Sequence, residues 1–358
     1  NSQTGHLVIP ATVTDIYGTI LTVVRAEYNP FYFCKNITSI ELPETMKSIG
    51  GYAFPSAKLK SMNIPKSMEQ IDEVAWGNIH RAPKFTVAAG SEYFENDANG
   101  ALYSKGGAIL HSVPSEVSLT GGKYVVDSRV KQINKGAFQN VQGLTTIVFP
   151  KNLETILYGY PTIAPTSTLA RCEIAPGAKN FSVKDGVLFK GTSLVLYPRG
   201  KSDPHYKVPD GITTIERYAI SNSFHMETID LNGVTNLRTS AIYAPRKLTT
   251  ITLPKDIKPH DWVTKTGMAE GCFEECERVT EYKVKPENKY FVAEDGVIFS
   301  KNKDTLFLYP ANKPGITYTV PNTVKRIGAH SFQSAQNITS FHFPDNVESI
   351  GADALRAM

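Results

Sequence analysis

The chain has 358 residues, and at about 150 residues per domain that length alone would suggest two globular cores. Hydrophobic residues at 41% and charged residues at 20% exclude disorder by composition, and four cysteines exclude a disulfide-dense scaffold. A mean hydropathy of −0.21, with no apolar run near about 18 residues, predicts no transmembrane segment in this chain. The net charge of +4 comes from 38 Lys+Arg against 34 Asp+Glu, too balanced for the basic footprint of a nucleic-acid partner.

In chain order, the first signal is Leu7-Val8-Ile9-Pro10, followed by Val13 and Ile16. The same spacing returns around Pro43, Pro65, Asp127, Pro150, Pro209, Pro254, Pro321 and Pro344. One residue before each anchor is apolar, as in Leu42, Ile64 and Val208; three before stand Ile40, Met62 and Tyr206. Three after the anchor come Met46, Met68 and Leu153, and six after come Ile49, Ile71 and Ile133. Ten and eleven after stand pairs such as Ala53-Phe54, Ala75-Trp76 and Ala137-Phe138. Residues at −3 and −1 share one face of a short strand. Proline at the anchor has no N–H and ends the strand's ladder. The later apolar residues turn back to the same interior, so each unit needs its neighbours to bury that face.

Three segments carry a different signature: Asn99-Gly100, Asp185-Gly186 and Asp295-Gly296, each leading to an apolar run that ends at Pro114, Pro198 or Pro310. They predict β-hairpin insertions near 93–114, 181–198 and 291–310, with glycine supplying positive φ at the turns. The register weakens in three places. After Pro150 it fades into Tyr158-Gly159-Tyr160-Pro161. Around Met226–Asn232 an asparagine takes the proline position and the return is shortened. After Pro254, position +6 is His260 and Cys272-Phe273 falls at +18/+19, which implies an eight-residue insertion around His260-Asp261-Trp262-Val263.

The pattern L-x-x-I-x-L-P-x-x-V-x-x-I-G-x-x-A-F resembles the BspA-like class of leucine-rich repeats, most closely at Ile37–Phe54 and Ile338–Ala354. The resemblance covers nearly the whole chain. It implies a leucine-rich-repeat solenoid, a right-handed superhelix of mostly short β-strands with brief helical or 3-10 turns. The expected organisation is a single elongated, curved solenoid over 1–358. The resemblance also implies a bacterial protein that is secreted or at the cell surface, with adhesion to host proteins or cells. Asn1 stands where an initiator Met would, and Ala354–Met358 lies inside a repeat. A mature or trimmed chain is therefore expected, with the natural protein continuing.

No catalytic motif is present: H-E-x-x-H, G-x-S-x-G and the phosphate-binding loop are all absent. Cys34 and Cys276 share one repeat position, Cys272 fills the small-residue slot and Cys172 precedes Ile174, so all four read as small buried hydrophobes. A Cys272–Cys276 disulfide, a zinc site there, or a nucleophilic cysteine paired with His260 are the alternatives. The Asp-Gly segments lack the acidic spacing of a calcium loop. Asn36-Ile37-Thr38 and Asn337-Ile338-Thr339 match the glycosylation sequon through the repeat consensus itself.

The outward strand positions are the place to look for a partner. Position −2 points away from the core and includes Glu41, Asn63, Asp230, Thr252 and His342, beside Thr- and Ser-rich positions at −4 and −5. Stacked about 4.8 Å apart, they would tile a hydroxyl-rich ribbon. Ordinary solvated strand residues are the plainer reading. The functional expectation is a non-enzymatic recognition or adhesion protein, without a cofactor, that binds a host extracellular-matrix or surface protein, or a glycan. A structural spacer presenting a further domain is one alternative; an enzyme with a site near the 260–272 insertion is the other.

Overall fold

A computed structural model describes residues 4–31, 34, 36–54, 57–157 and 166–356. Tyr158-Gly159-Tyr160-Pro161, where the repeat pattern fades, lies outside the described residues. The backbone forms two compact units, 1–182 and 183–358. Each is a β-solenoid of short, mostly parallel strands, and the described residues contain no helix.

In the first unit, Thr4–Val8, Asn36–Glu41, Ser61–Ile64 and Lys84–Val87 form one parallel sheet. The +6 positions form a second one: Arg25–Ala26, Ser48–Ile49 and Gln70–Ile71. The chain passes between them in a single hydrogen-bonded turn. The amide of the +3 residue donates to the anchor carbonyl, Met46 to Pro43 at 2.9 Å, Met68 to Pro65 at 3.1 Å and Val130 to Asp127 at 3.0 Å. Further i→i+3 bonds follow in the same coil, as from Ala75 to Asp72 and from Gly77 to Val74, but no two are consecutive among the described residues, so each makes an isolated turn. The brief helical or 3-10 turns expected from the sequence are therefore turns, since two or more consecutive i→i+3 bonds are needed for a 3-10 segment.

The residues at −3, −1, +3 and +6 are buried in nearly every coil, including Ile40, Leu42, Met46 and Ile49. The aromatics at +11 plug the coils: Phe54 stacks on Trp76 at 5.6 Å, and Trp76 meets Phe85 edge-on at 4.8 Å. The unit after Pro10 departs from the expectation. Val13 and Ile16, placed inward by the offsets, are 44% and 90% exposed. Thr12–Thr14 and Ile20–Thr22 instead pair as an antiparallel hairpin. Its turn is set by Asp15, whose carboxylate accepts the amides of Tyr17 and Thr19, both at 2.8 Å, and by Gly18 at φ 85°. Ala26, beyond this hairpin, takes the +6 register opposite Ile49.

The expected insertion near 93–114 is a three-stranded meander, Phe94–Asn96, Leu102–Ser104 and Ile109–Ser112. Its last strand pairs in parallel with Gln132–Ile133, so Leu110 sits opposite Ile133. The insertion thus supplies a coil strand rather than looping out of the array. Its tip meets the edge of the neighbouring sheet, where the Phe85 amide donates to the Gly100 carbonyl at 3.0 Å. Gly100 is required there: its φ is +81°, and a Cβ would collide with Lys84 Cγ. A new parallel sheet then starts, from Lys123–Val125 through Thr146–Phe149 to Arg171–Ile174.

The second unit repeats the scheme. His205–Lys207, Thr228–Asp230, Thr250–Leu253 and Glu281–Val284 form its outer sheet. Val187–Lys190 and Ser193–Leu196 pair antiparallel, and the latter feeds the +6 sheet through Leu194 opposite Ile215. The insertion near 291–310 is again a meander, Phe291–Glu294, Val297–Ser300 and Thr305–Leu308. Its Asp295-Gly296 turn has φ of 47° and 77°, the doubly left-handed form that fits the strand twist. The Gly296 carbonyl accepts the Tyr282 amide at 2.9 Å, so this tip too closes a sheet edge.

Asn232 stands at the anchor position because the chain is left-handed there, at φ 47°, which proline cannot adopt. Its amide side chain donates to the Val208 carbonyl at 3.0 Å and to Asp210 at 2.7 Å. After Pro254 the eight-residue insertion is present: Met268 replaces position +6 opposite Leu237, and Phe273 lies opposite Ile242.

Candidate recognition surface

The alternation read from the sequence places the −2 side chains on the solvent side. Glu41, Asn63 and His342 are exposed, and Asp230 and Thr252 are half-buried. The five do not share one surface. Glu41 and Asn63 are neighbours in the first unit, one residue beyond the Ile40–Met62 pair. Asp230 and Thr252 are direct partners in the second unit, and His342 pairs with Thr319 in a separate two-stranded sheet. Within each unit the ribbon is broken where a meander tip ends a sheet, so the continuous ribbon expected from stacking is replaced by short faces of two to four strands.

The first face, over Thr4–Val8 to Lys84–Val87, holds a groove of about 490 Å³ lined by His6, Ser39, Glu41, Glu44, Asn63 and Thr86. His6 Nδ1 shares a hydrogen bond with Ser39 Oγ at 2.8 Å, and its Nε2 lies 3.8 Å from Glu41. No side-chain hydrogen bond of Asn63 is formed within the described residues. Along the face beside Lys123–Val125, Lys123 donates to Glu173 at 2.8 Å and holds that carboxyl below the usual carboxylate range.

The second unit's face is cross-linked. Lys285 Nζ lies 2.8 Å from Asp230, and Lys283 lies 2.9 Å from Glu281. Thr250 donates to Glu281 at 3.2 Å, and His205 shares a hydrogen bond with Thr228 at 3.0 Å. The Lys283 ammonium holds the Glu281 carboxyl below its ordinary range.

One column of residues escaped the sequence reading. Position +9 of the coil is left-handed again and again: Tyr52 at φ 49°, Gly136 at 66°, Tyr218 at 58°, and His330 at 57°. Such positions carry no apolar signature, and only the recurrence of the geometry marks them. Their side chains form small clusters, Tyr28 with Tyr52 at 5.6 Å and Tyr218 with Tyr243 at 5.2 Å, the latter pair with Arg217 5.3 Å from the Tyr218 ring.

All four cysteines are free thiols, with Cys172, Cys272 and Cys276 buried. This replaces the Cys272–Cys276 disulfide considered above. Cys34 and Cys276 do share a position: each carbonyl accepts the amide three residues on, Ile37 at 3.4 Å and Val279 at 3.1 Å. Burial pushes the Cys272 and Cys276 thiols up, away from the thiolate a nucleophile or zinc ligand needs. Among the described residues no three His, Cys, Asp or Glu side chains converge as metal ligands would.

The insertion is a compact loop. Asp261 accepts the amides of Val263 and Thr264 at 2.9 and 3.1 Å, and the Thr264 bond leads in holding its carboxyl low. Gly267 closes the loop at φ +98°, where a Cβ would stand 2.5 Å from the Pro259 carbonyl oxygen. His260 and Cys272 line the same pocket, in which Cys272 contributes a buried, protonated thiol.

The chain shares its fold with a solved bacterial protein. A leucine-rich repeat protein from Eubacterium ventriosum superposes with a TM-score of 0.55 at 16% identity, over 99% of this chain and 89% of the other. A leucine rich cell surface protein from Faecalibacterium prausnitzii gives a TM-score of 0.42 at 14% identity, over 96% and 88%. No curated protein sequence matches significantly. The family model described as the BspA type leucine rich repeat region matches in 6 copies, over residues 21–100, 120–160, 202–294 and 311–358. Those spans contain the proline-anchored strands, the isolated turns and the plugging aromatics described above, and together they take in well over half of the sequence. The chain belongs to the BspA-type leucine-rich-repeat family.

Proposed function

We propose that this protein is a non-enzymatic recognition protein, secreted or held at the cell surface, that binds a host extracellular-matrix or surface protein through the strand face of its first unit. The groove beside Glu41 and Asn63 carries the reading. Asn63 makes no side-chain hydrogen bond within the described residues, and Glu41 is approached there only by His6 at 3.8 Å, so both remain available to a partner. Membership of a family whose members are often surface proteins supports the location. Glu41 and Glu44 in the groove favour a partner that presents lysine or arginine side chains. Hydroxyls and amides from Ser39, Ser61 and Asn63 would supply the directional hydrogen bonds.

The experiment is a surface binding assay of the protein against immobilised extracellular-matrix proteins and a glycan array, at low and physiological salt. Saturable binding to a protein that weakens as salt rises is expected, because exposed charge pairs are screened over about 8–10 Å. Binding to glycans alone would replace the protein partner with a carbohydrate one. Uniform failure would count against recognition as the function.

A further inference from the structure

The second sheet of the first unit stops at a groove that the strand-face reading does not use. Its strands end at Gln70–Ile71, and the meander that follows begins a separate sheet with Phe94–Asn96. Within the sheet, the carbonyls of each strand take amides from the next coil. The Lys47 carbonyl accepts the Glu69 and Gln70 amides at 2.8 and 3.0 Å, and the Ile49 carbonyl accepts that of Asp72 at 2.9 Å. The equivalent carbonyls of Glu69 and Ile71 accept no amide among the described residues. A groove of about 440 Å³ lies at this break, bordered by Glu69 and Ile71 and, on the meander side, by Tyr93 and His111.

Its side chains are polar and mostly uncommitted. Arg25, Ser48 and Gln70 stand in register on successive strands, opposite in facing to the buried Ala26, Ile49 and Ile71. Ser48 and Gln70 make no side-chain hydrogen bond among the described residues. Arg25 lies 3.3 Å from Glu27 and Glu69 lies 3.0 Å from Lys47, and Asp72 accepts the Val74 amide at 2.9 Å. His111 is buried, with Asn134 Nδ2 donating to its Nδ1 at 3.1 Å. Acceptance at Nδ1 puts the ring proton on Nε2. That nitrogen is neither hydrogen-bonded among the described residues nor sealed from solvent. Tyr93 is 47% exposed.

We propose that this groove binds a neutral saccharide, its hydroxyls held by Gln70, Ser48, Asp72 and the two open carbonyls and one face of a sugar ring against Tyr93. A sugar hydroxyl both donates and accepts. It therefore suits a surface that mixes open carbonyls and a carboxylate with amide and hydroxyl donors. Charge argues for a neutral ligand: an anion would meet Glu69 and Asp72, and a cation would meet Arg25. The volume falls within the range of about 300–1,000 Å³ of small-ligand sites. Against about 150 Å³ for one benzene ring, it has room for one or two sugar rings. An extended peptide fits less well, because the open strand is 2 residues long, short of the roughly 3–10 of ordinary strands.

The test is ligand-observed NMR and calorimetric titration of the full chain with lactose, maltose, cellobiose and N,N′-diacetylchitobiose, at low and physiological salt. Saturable binding of at least one disaccharide is expected, with an affinity that salt leaves unchanged because the ligand carries no charge. Gln70→Leu should weaken it about tenfold, the size of one hydrogen bond, and Tyr93→Ala by at least as much. Both residues are exposed, and far-UV circular dichroism of each variant guards against a folding defect. Glu41→Arg/Asn63→Arg should leave saccharide binding intact, which separates this groove from the strand face. No binding of the disaccharides, binding that both groove substitutions leave unchanged, or binding of trialanine in their place would overturn the proposal.

Discussion

The two outer strand faces arise from one rule and end with different surfaces. In the first unit, Ile40 and Met62 point inward while Glu41 and Asn63 face solvent; in the second, Ile229 and Ile251 point inward while Asp230 and Thr252 face outward. The inner halves are interchangeable. The outer halves are not: Asp230 is held by Lys285 at 2.8 Å and Glu281 by Lys283 at 2.9 Å, whereas Glu41, among the described residues, has only His6 at 3.8 Å. Stacking constrains the residues that point into the core and leaves the outward ones free. Whether an outward residue braces its neighbour or awaits a partner is decided at positions −2 and −4, independently of the fold.

The largest effects are expected in the core. Trp76 plugs its coil between Phe54 and Phe85, and the same +11 slot after Pro209 carries Ile220. Trp76→Ala should cost about 3–5 kcal/mol and Ile220→Val about 0.5–1.5 kcal/mol, from the lost contacts and the cavities left. Urea unfolding followed by circular dichroism measures both. Equal losses would mean that the aromatic plug has no special part.

A second difference lies in the meanders. Leu110, Leu194 and Leu306 share a register, and the residue after each is His111, Val195 and Phe307. His111 is buried, with Asn134 Nδ2 3.1 Å from its Nδ1, and burial lowers its pKa from 6.5 to about 4. The folded chain therefore binds fewer protons than the unfolded chain between these values, and stability rises with pH across that window. The contribution is complete above about pH 6.5 and is lost on acidification toward about pH 4, for a total of about 3 kcal/mol. His111→Val should flatten this part of the profile in chemical unfolding at pH 7 and pH 4.5. An unchanged slope would remove His111 as its source.

The smallest effects separate the faces themselves. Asp230→Ala should cost about 0.5–1 kcal/mol through the lost Lys285 pair, and Glu41→Ala close to nothing, as partly exposed ion pairs contribute little. A loss at Glu41 equal to that at Asp230 would show that the first face is braced after all.

Much of this fold was legible because the offsets report burial directly: an apolar residue at −3, −1, +3 or +6 has one place to go. The spacing misleads after Pro10, where Val13 and Ile16 keep the offsets but belong to a hairpin directed by Asp15 and Gly18. Local turn chemistry won there over the repeat pattern. The broken ribbon was not legible either, since it depends on the Gly100 and Gly296 carbonyls meeting Phe85 and Tyr282, contacts between segments that no local pattern encodes. Of the five outward residues, the alternation placed all on the solvent side but could not tell that Asp230 is engaged and Asn63 is not. The pocket beside the insertion was hidden for a related reason. It needs Gly271, His330 and the Trp262 loop brought together, and only the insertion itself was visible as a slip of eight residues.

The most direct measurement compares the faces in binding. Surface plasmon resonance against the matrix protein bound by the native chain would be run with Glu41→Arg/Asn63→Arg and with Thr252→Arg/Lys283→Glu. The first pair should reduce affinity at least about tenfold, the scale of one lost charge-assisted contact, and the second pair should leave it unchanged. Unchanged binding by the first pair, or an equal loss in both, would contradict recognition through the first unit's strand face.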